Sequence, residues 1–252
     1  MIVKGAILLV AALLLTAAPG IAFDREEMAV KGAVESLLPG SAVDAVTKTA
    51  LPGLYEVIFD DNIIYYMPAS GQFIAGVLFS KEGDNLSKTS FERLAIDKVK
   101  KMQPLTGQKD KAIKVGSGPI EVIEVSDPDC PYCRKMEDFW KMHQKDVTRF
   151  IFLMPVTALH PDSEKKTRYI LASSDPAQAL RSVLSGKLDE DGVTLKKNFD
   201  DKGRFNSLQA ITGKAGVKST PTYLIGGTVI IGADTERIDE LIKPATEKNT
   251  DI

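Results

Sequence analysis

The sequence is short of the residues that build staples and metal centres. Among 252 residues there are two cysteines, two histidines and one tryptophan. Two cysteines exclude a disulfide scaffold and a four-cysteine zinc site. His143 and His160 are too little material for a histidine-rich metal centre. No metal and no cofactor is expected. Net charge is lacking too: 32 basic side chains face 34 acidic ones, a formal −2. No basic field exists to collect nucleic acid, so no nucleic-acid partner is expected. Internal repeats and low-complexity tracts do not stand out. What is present, 44% hydrophobic and 26% charged residues, is the mix of an ordinary globular protein. The length admits one large domain or two of ordinary size.

Residues 1–22 have the layout of an export signal. Lys4 precedes an unbroken apolar run from Ala6 to Leu15. Pro19-Gly20 breaks any helix, and Gly20 and Ala22 supply the small residues of a cleavage site. The run is shorter than the ~20 residues of a membrane span, and no cysteine follows it to carry a lipid. Cleavage after about Ala22 and delivery to an oxidising compartment outside the cytoplasm are expected. There, a pair of cysteines separated by two residues, Cys130 and Cys133, has little structural value. A bridge stabilises chiefly by closing a long loop. The pair therefore points to chemistry.

Asp24–Leu38 has one apolar stripe and a capping box, Asp24 with Glu27, and is predicted helical. Leu54–Phe59, Ile63–Met67 and Phe73–Phe79 alternate between Asp/Asn/Gly turns and are predicted to form an antiparallel meander. Within it, Tyr65 and Tyr66 fall on opposite faces, one expected in the core and one exposed. A block this small, 23–85, suggests oligomerisation. Ser87–Met102 is predicted to be a linker helix, stopped by Pro104 and Gly107, in a segment spanning 86–104. From 105 to 248 the order is strand (Ile120–Val125), helix (Cys130–Gln144), strand (Val147–Pro155), a helical insert from His160 to about Thr212, a hairpin (Thr222–Ile225, Val229–Ile231) and a last helix from Thr235 to about Lys248. This is an α/β order.

Cys130-Pro131-Tyr132-Cys133 stands between a predicted strand and a predicted helix. A helix N-terminus offers unsatisfied N–H groups and a partial positive charge, which stabilise a thiolate. Cys130 is therefore expected to have a lowered pKa and to attack a substrate disulfide. Cys133, one turn further in and more shielded, is expected to resolve the mixed disulfide. Thr220-Pro221 precedes the hairpin, where a cis bond would turn the chain toward the Cys loop. Two readings of Glu124 stand open: a buried carboxylate that relays a proton from Cys133, or a solvated residue of an alternating strand. Asp127 and Asp129 are expected to point to solvent, Asp127 with a share in capping. Tyr132 is expected to be exposed and open to substrate contact. Trp140 is expected in the core, His143 on its helix, and His160 in a loop at the start of the insert.

Strand–CPYC–helix followed by Thr-Pro at a hairpin resembles a thioredoxin-fold catalytic domain. With the export signal, the meander, the linker helix and the helical insert, the whole resembles the DsbC/DsbG family of periplasmic thiol:disulfide interchange proteins. Segments Asn62–Phe79, Val183–Lys187 and Gly216–Tyr223 carry the likeness. The resemblance implies a thioredoxin-like domain with a helical insert behind a small α+β dimerisation domain. It implies catalytic roles for Cys130, Cys133, cis Pro221 and Thr220, with Thr220 also contacting substrate backbone. It also implies a V-shaped homodimer, unfolded or misdisulfided exported proteins as partners, and a DsbD-type membrane reductase as electron donor. A second, structural cysteine pair known in such proteins is missing from this sequence. Three activities fit the residues: a disulfide isomerase; a dithiol oxidase or a reductase dedicated to one pathway, such as cytochrome c maturation; and a holdase chaperone with secondary redox activity.

Overall fold

The computed structural model describes residues 24–60, 62–189, 195 and 199–243. The expected export signal, 1–22, and the end of the last helix toward Lys248 lie outside the described residues. The chain divides into two compact units, Met1–Leu78 and Phe79–Ile252.

In the first unit, Asp24 caps α1 (Arg25–Leu37) by accepting from the N–H groups of Glu26 and Glu27, and the Glu27 side chain accepts from the Asp24 N–H. Val30 and Val34 turn inward onto a four-stranded antiparallel sheet in order β1-β2-β3-β4: Val43–Lys48, Tyr55–Phe59, Asn62–Met67 and Gln72–Ile74. Val43, Val46, Val57, Ile64 and Tyr66 complete that core. The first strand has no clean alternation because a bulge between Val43 and Ala45 puts its two buried valines three residues apart. Two expectations are corrected here. Tyr65 and Tyr66 are both buried; Tyr66 joins the core under α1, and Tyr65, on the other face, donates its hydroxyl to Glu56 at 3.0 Å. The run Phe73–Phe79 is a strand only over Gln72–Ile74; beyond it, Val77 and Phe79 are exposed, and Phe79 makes a single bridge to Asn85.

The second unit begins with α2 (Lys88–Thr106), the helix expected to serve as a linker. Leu94, Met102 and Leu105 bury its inner face, and it packs against α6 (Arg204–Ala215) and β9 (Thr228–Ile231). Pro104 does not stop it. A proline in the last turn removes a single hydrogen bond, and the helix runs on to its cap at Gly107. The five-stranded sheet has the order β5-β7-β6-β8-β9, with β5 Ile113–Gly116, β6 Ile120–Ser126, β7 Val147–Leu153 and β8 Thr222–Ile225. β6 and β7 run parallel and are joined by α3 (Pro131–Met142); the other pairs are antiparallel. The insert between β7 and β8 holds α4 (Ser163–Ala172), α5 (Pro176–Leu184) and α6, and α7 (Thr235–Ile242) closes the unit. Alternation along β6 feeds two cores. Ile123 and Val125 pack with the insert and both cysteines, while Val122 packs with Met136, Trp140, Tyr223 and Ile238. Among the described residues no helix is long and apolar enough to cross a membrane.

The turn from β5 to β6 lies directly on the backbone that leads into β7. Gly118 donates its N–H to the Val147 carbonyl at 3.1 Å and accepts from the Thr148 hydroxyl at 2.7 Å. A Cβ on Gly118 would fall 2.0 Å from the Asp146 carbonyl carbon and 2.2 Å from the Val147 nitrogen. Gly118→Ala is expected to destabilise the second unit by about 2–4 kcal/mol, because only backbone can give way. Thermal unfolding followed by the fluorescence of Trp140, the sole tryptophan, reports this unit and checks it.

Candidate active site

β6 delivers the chain into the loop Asp127-Pro128-Asp129, and Cys130 becomes the N-cap of α3. Pro131 takes the first helical position, where a missing N–H costs nothing. The Cys130 N–H donates to the Asp127 carbonyl at 3.2 Å. From 90 residues away, the Thr220 carbonyl oxygen lies 3.4 Å from Cys130 Sγ, where it can accept from the thiol only while Cys130 is protonated. The Thr220–Pro221 bond is cis, and β8 starts immediately after it. Both cysteines are free and nearly enclosed, Cys130 at 5% exposure and Cys133 at 2%.

The two thiols differ in acidity. A hydrogen bond from the Cys133 thiol outweighs burial and, with the N–H groups of Cys133 and Tyr132 and the Thr220 side chain, pulls the Cys130 pKa down to about 5. Burial, and then the neighbouring Cys130, push Cys133 far up; the Ser126 hydroxyl and the Asp127 N–H, 3.4 Å from its sulfur, oppose that rise. Cys130 is therefore a thiolate at neutral pH, and Cys133 holds the proton.

Neither Asp127 nor Asp129 points to solvent, and this corrects the sequence-based expectation. Asp127 is fully buried. Its Oδ1 accepts from the Asp129 N–H at 2.8 Å and the Ser163 hydroxyl at 2.7 Å, and its Oδ2 accepts from the Val156 N–H at 2.7 Å with His160 Nδ1 at 3.0 Å. It makes no side-chain cap on α3. Asp129 is bound by Arg134 and Lys166, which also share Asp189. Two carboxylates and two cations thus tie the residue before Cys130 to α3 and to the insert. No sequence periodicity marks this cluster, because its members come from separate elements.

Glu124 is buried rather than solvated, and it is paired. Its Oε2 accepts from Arg149 Nε at 2.8 Å, and Arg149 NH1 reaches Glu137 at 3.1 Å. The guanidinium also lies 5.1 Å from the centre of the Trp140 ring. Trp140 donates to the Tyr223 hydroxyl at 3.4 Å. Burial, then Glu124, push Tyr223 well above its usual pKa. Arg149 and Glu137 were not singled out from sequence; the available signal was one Arg inside the apolar run of β7 and one Glu between Cys133 and Trp140 on α3. Tyr132 is 61% exposed beside the thiols. His143 caps the end of α3 against Phe139, and His160 lies in the loop before α4. Among the described residues no three His, Cys, Asp or Glu side chains gather as a metal site would require.

Residues 21–88 match the family model for the disulfide bond isomerase protein N-terminal domain, and residues 108–241, more than half of the chain, match that for a thioredoxin-like domain. The thiol:disulfide interchange protein DsbG of Pseudomonas aeruginosa is 32% identical over 123 residues, 46% of this chain and 46% of the relative. The probable thiol:disulfide interchange protein DsbC of Bordetella pertussis is 27% identical over 164 residues, 62% of this chain and 53% of the relative. The chain spans about half the length of the curated relatives it matches. A crystal structure of a disulfide interchange protein from Neisseria gonorrhoeae shares 28% identity, with 54% of this chain and 99% of that chain covered at a TM-score of 0.43.

Two outcomes are expected from this geometry. Iodoacetamide labelling of Cys130 in the reduced protein rises with pH and levels off above about 5, since only the thiolate reacts and its proton is lost there. Cys133 stays unlabelled through neutral pH, and mass mapping after a short pulse reads both. In Asp127→Asn, the amide NH₂ faces a backbone N–H whichever way it is turned. Stability of the second unit is expected to fall by about 2–4 kcal/mol, measured by urea unfolding.

Proposed function

Because the chain belongs to the DsbC/DsbG family of thiol:disulfide interchange proteins, we propose that it is a homodimeric, periplasmic disulfide isomerase acting on misfolded exported proteins. The observation that carries this reading is the asymmetry of the two thiols: a Cys130 thiolate at the N-cap of α3 beside a buried, protonated Cys133. The Cys130 thiolate attacks a substrate disulfide and one substrate sulfur leaves as thiolate. The freed thiolate then attacks elsewhere in the substrate and reshuffles it, or Cys133 attacks Cys130 and releases the substrate reduced. In this scheme Pro221 and Thr220 flank Cys130, and Tyr132 meets the substrate chain. Glu124 acts through charge. Accepting a proton from Cys133 would compete with its ion pair to Arg149.

Dimerisation through residues 23–85 is supported by the small core of the first unit and by its outer strand β4, where Phe73 and Ile74 are exposed at an edge. A DsbD-type membrane reductase would restore the dithiol. A second reading, a dithiol oxidase, is favoured by the low pKa of Cys130, because a stabilised thiolate favours the reduced form and makes the disulfide a stronger oxidant.

Trapping thiols in fresh cell extracts separates the two. A resting dithiol supports the isomerase, and a resting disulfide moves the assignment to oxidase. In parallel, Cys133→Ser is expected to accumulate mixed disulfides with other proteins on non-reducing gels, and Cys130→Ser none. Equal behaviour of the two variants would refute the assigned roles. Sedimentation of the full chain should show a dimer.

A further inference from the structure

Ser126 closes β6 and is 1% exposed. Its hydroxyl is buried and has no oxygen or nitrogen partner among the described residues. A buried hydroxyl without a partner is costly and calls for a cause. The cause lies at the neighbouring sulfur. The peptide N–H that follows Ser126, that of Asp127, donates to Cys133 Sγ at 3.4 Å, so the end of β6 lies against this thiol. The Ser126 hydroxyl acts on the same sulfur and favours its charged form.

We propose that the Ser126 hydroxyl is a catalytic hydrogen-bond donor that serves the Cys133 thiolate during release of the mixed disulfide. The inference rests on the resolving role assigned to Cys133 above. In the resting dithiol, the Cys133 proton is committed to Cys130, and its sulfur carries no charge for Ser126 to stabilise. When Cys130 is bonded to a substrate sulfur, that acceptor is gone. Cys133 must then lose its proton inside the protein, where an unassisted thiolate is disfavoured. The Asp127 N–H and the Ser126 O–H together supply two donors to the sulfur at that moment, as preorganised donors do wherever charge develops. The Cys133–Cys130 bond then forms as the Cys130–substrate bond breaks. The electron pair leaves on the substrate sulfur, which takes up a proton in place of the one Cys133 released. Two protein thiols are oxidised to a disulfide, and the substrate disulfide is reduced to two thiols.

Glutathione disulfide is a sufficient probe. Mixed with the reduced full chain, it forms a glutathione adduct on Cys130, and attack by Cys133 then discharges the adduct. Acid quenching and intact-mass measurement give its lifetime. Ser126→Ala is expected to lengthen that lifetime about tenfold, as loss of one hydrogen bond to a charged atom predicts, and to move the pH profile of discharge upward. Ser126→Thr should restore both, while the pH profile of Cys130 alkylation stays unchanged in either variant. A lifetime within twofold of the unmodified protein would overturn the proposal. So would a Ser126→Ala variant that slows adduct formation and discharge alike, which marks a merely structural role. If the unmodified protein forms an adduct that Cys133 never discharges, the resolving role falls and this inference with it.

Discussion

The buried carboxylate of Asp127 is the constraint on which the site depends. Four donors from four places converge on it: the Asp129 N–H, the Val156 N–H, the Ser163 hydroxyl and His160. A buried carboxyl group is tolerated only when its oxygens are satisfied, so these segments are held together or its oxygens are stranded. The same residue uses its backbone on the cysteines, with its N–H on Cys133 and its carbonyl on the Cys130 N–H. The loop that carries the nucleophile is thereby fixed to the end of β7 and the start of the insert. The Arg134–Asp129–Lys166–Asp189 cluster repeats the arrangement on the next acidic residue.

This fixing explains how two thiols three positions apart acquire opposite acidities. Cys130 sits where α3 begins and collects N–H donors; Cys133 sits one turn inside, among Val125, Leu153 and the insert, where desolvation dominates. The hydrogen bond between them helps the first at the expense of the second. A rigid loop keeps that division, because a shift of either sulfur would trade donors for apolar contacts.

The buried charges of the second unit follow the same rule. Glu124 and Glu137 share Arg149, and the aromatic pair Trp140–Tyr223 packs around the guanidinium. Removing Arg149 would strand two carboxylates, which is why such a cation is hard to lose once both partners are buried.

Much was legible in the sequence where local physics decides. The capping box at Asp24, the Cys-Pro-Tyr-Cys turn into a helix, the hairpin of Thr222–Ile225 and Val229–Ile231 and Thr220-Pro221 before it each carry their own short-range signal. Strand alternation found β2, β3, β6 and β7. It missed β1, where a bulge breaks the period, and the short β5, and it overextended β4, because an apolar run says nothing of whether a partner strand is present. The helix ending at Thr106 outran Pro104, since the cost of one lost hydrogen bond in a last turn is small beside burial of Met102 and Leu105. Tertiary structure alone decided which charges are inside. Taken one at a time, Asp127, Glu137 and Arg149 look like surface residues, and Glu124 could be either buried or solvated. They become core residues only because distant elements bring each a partner, and burial of a charge is a property of the pair rather than of the residue.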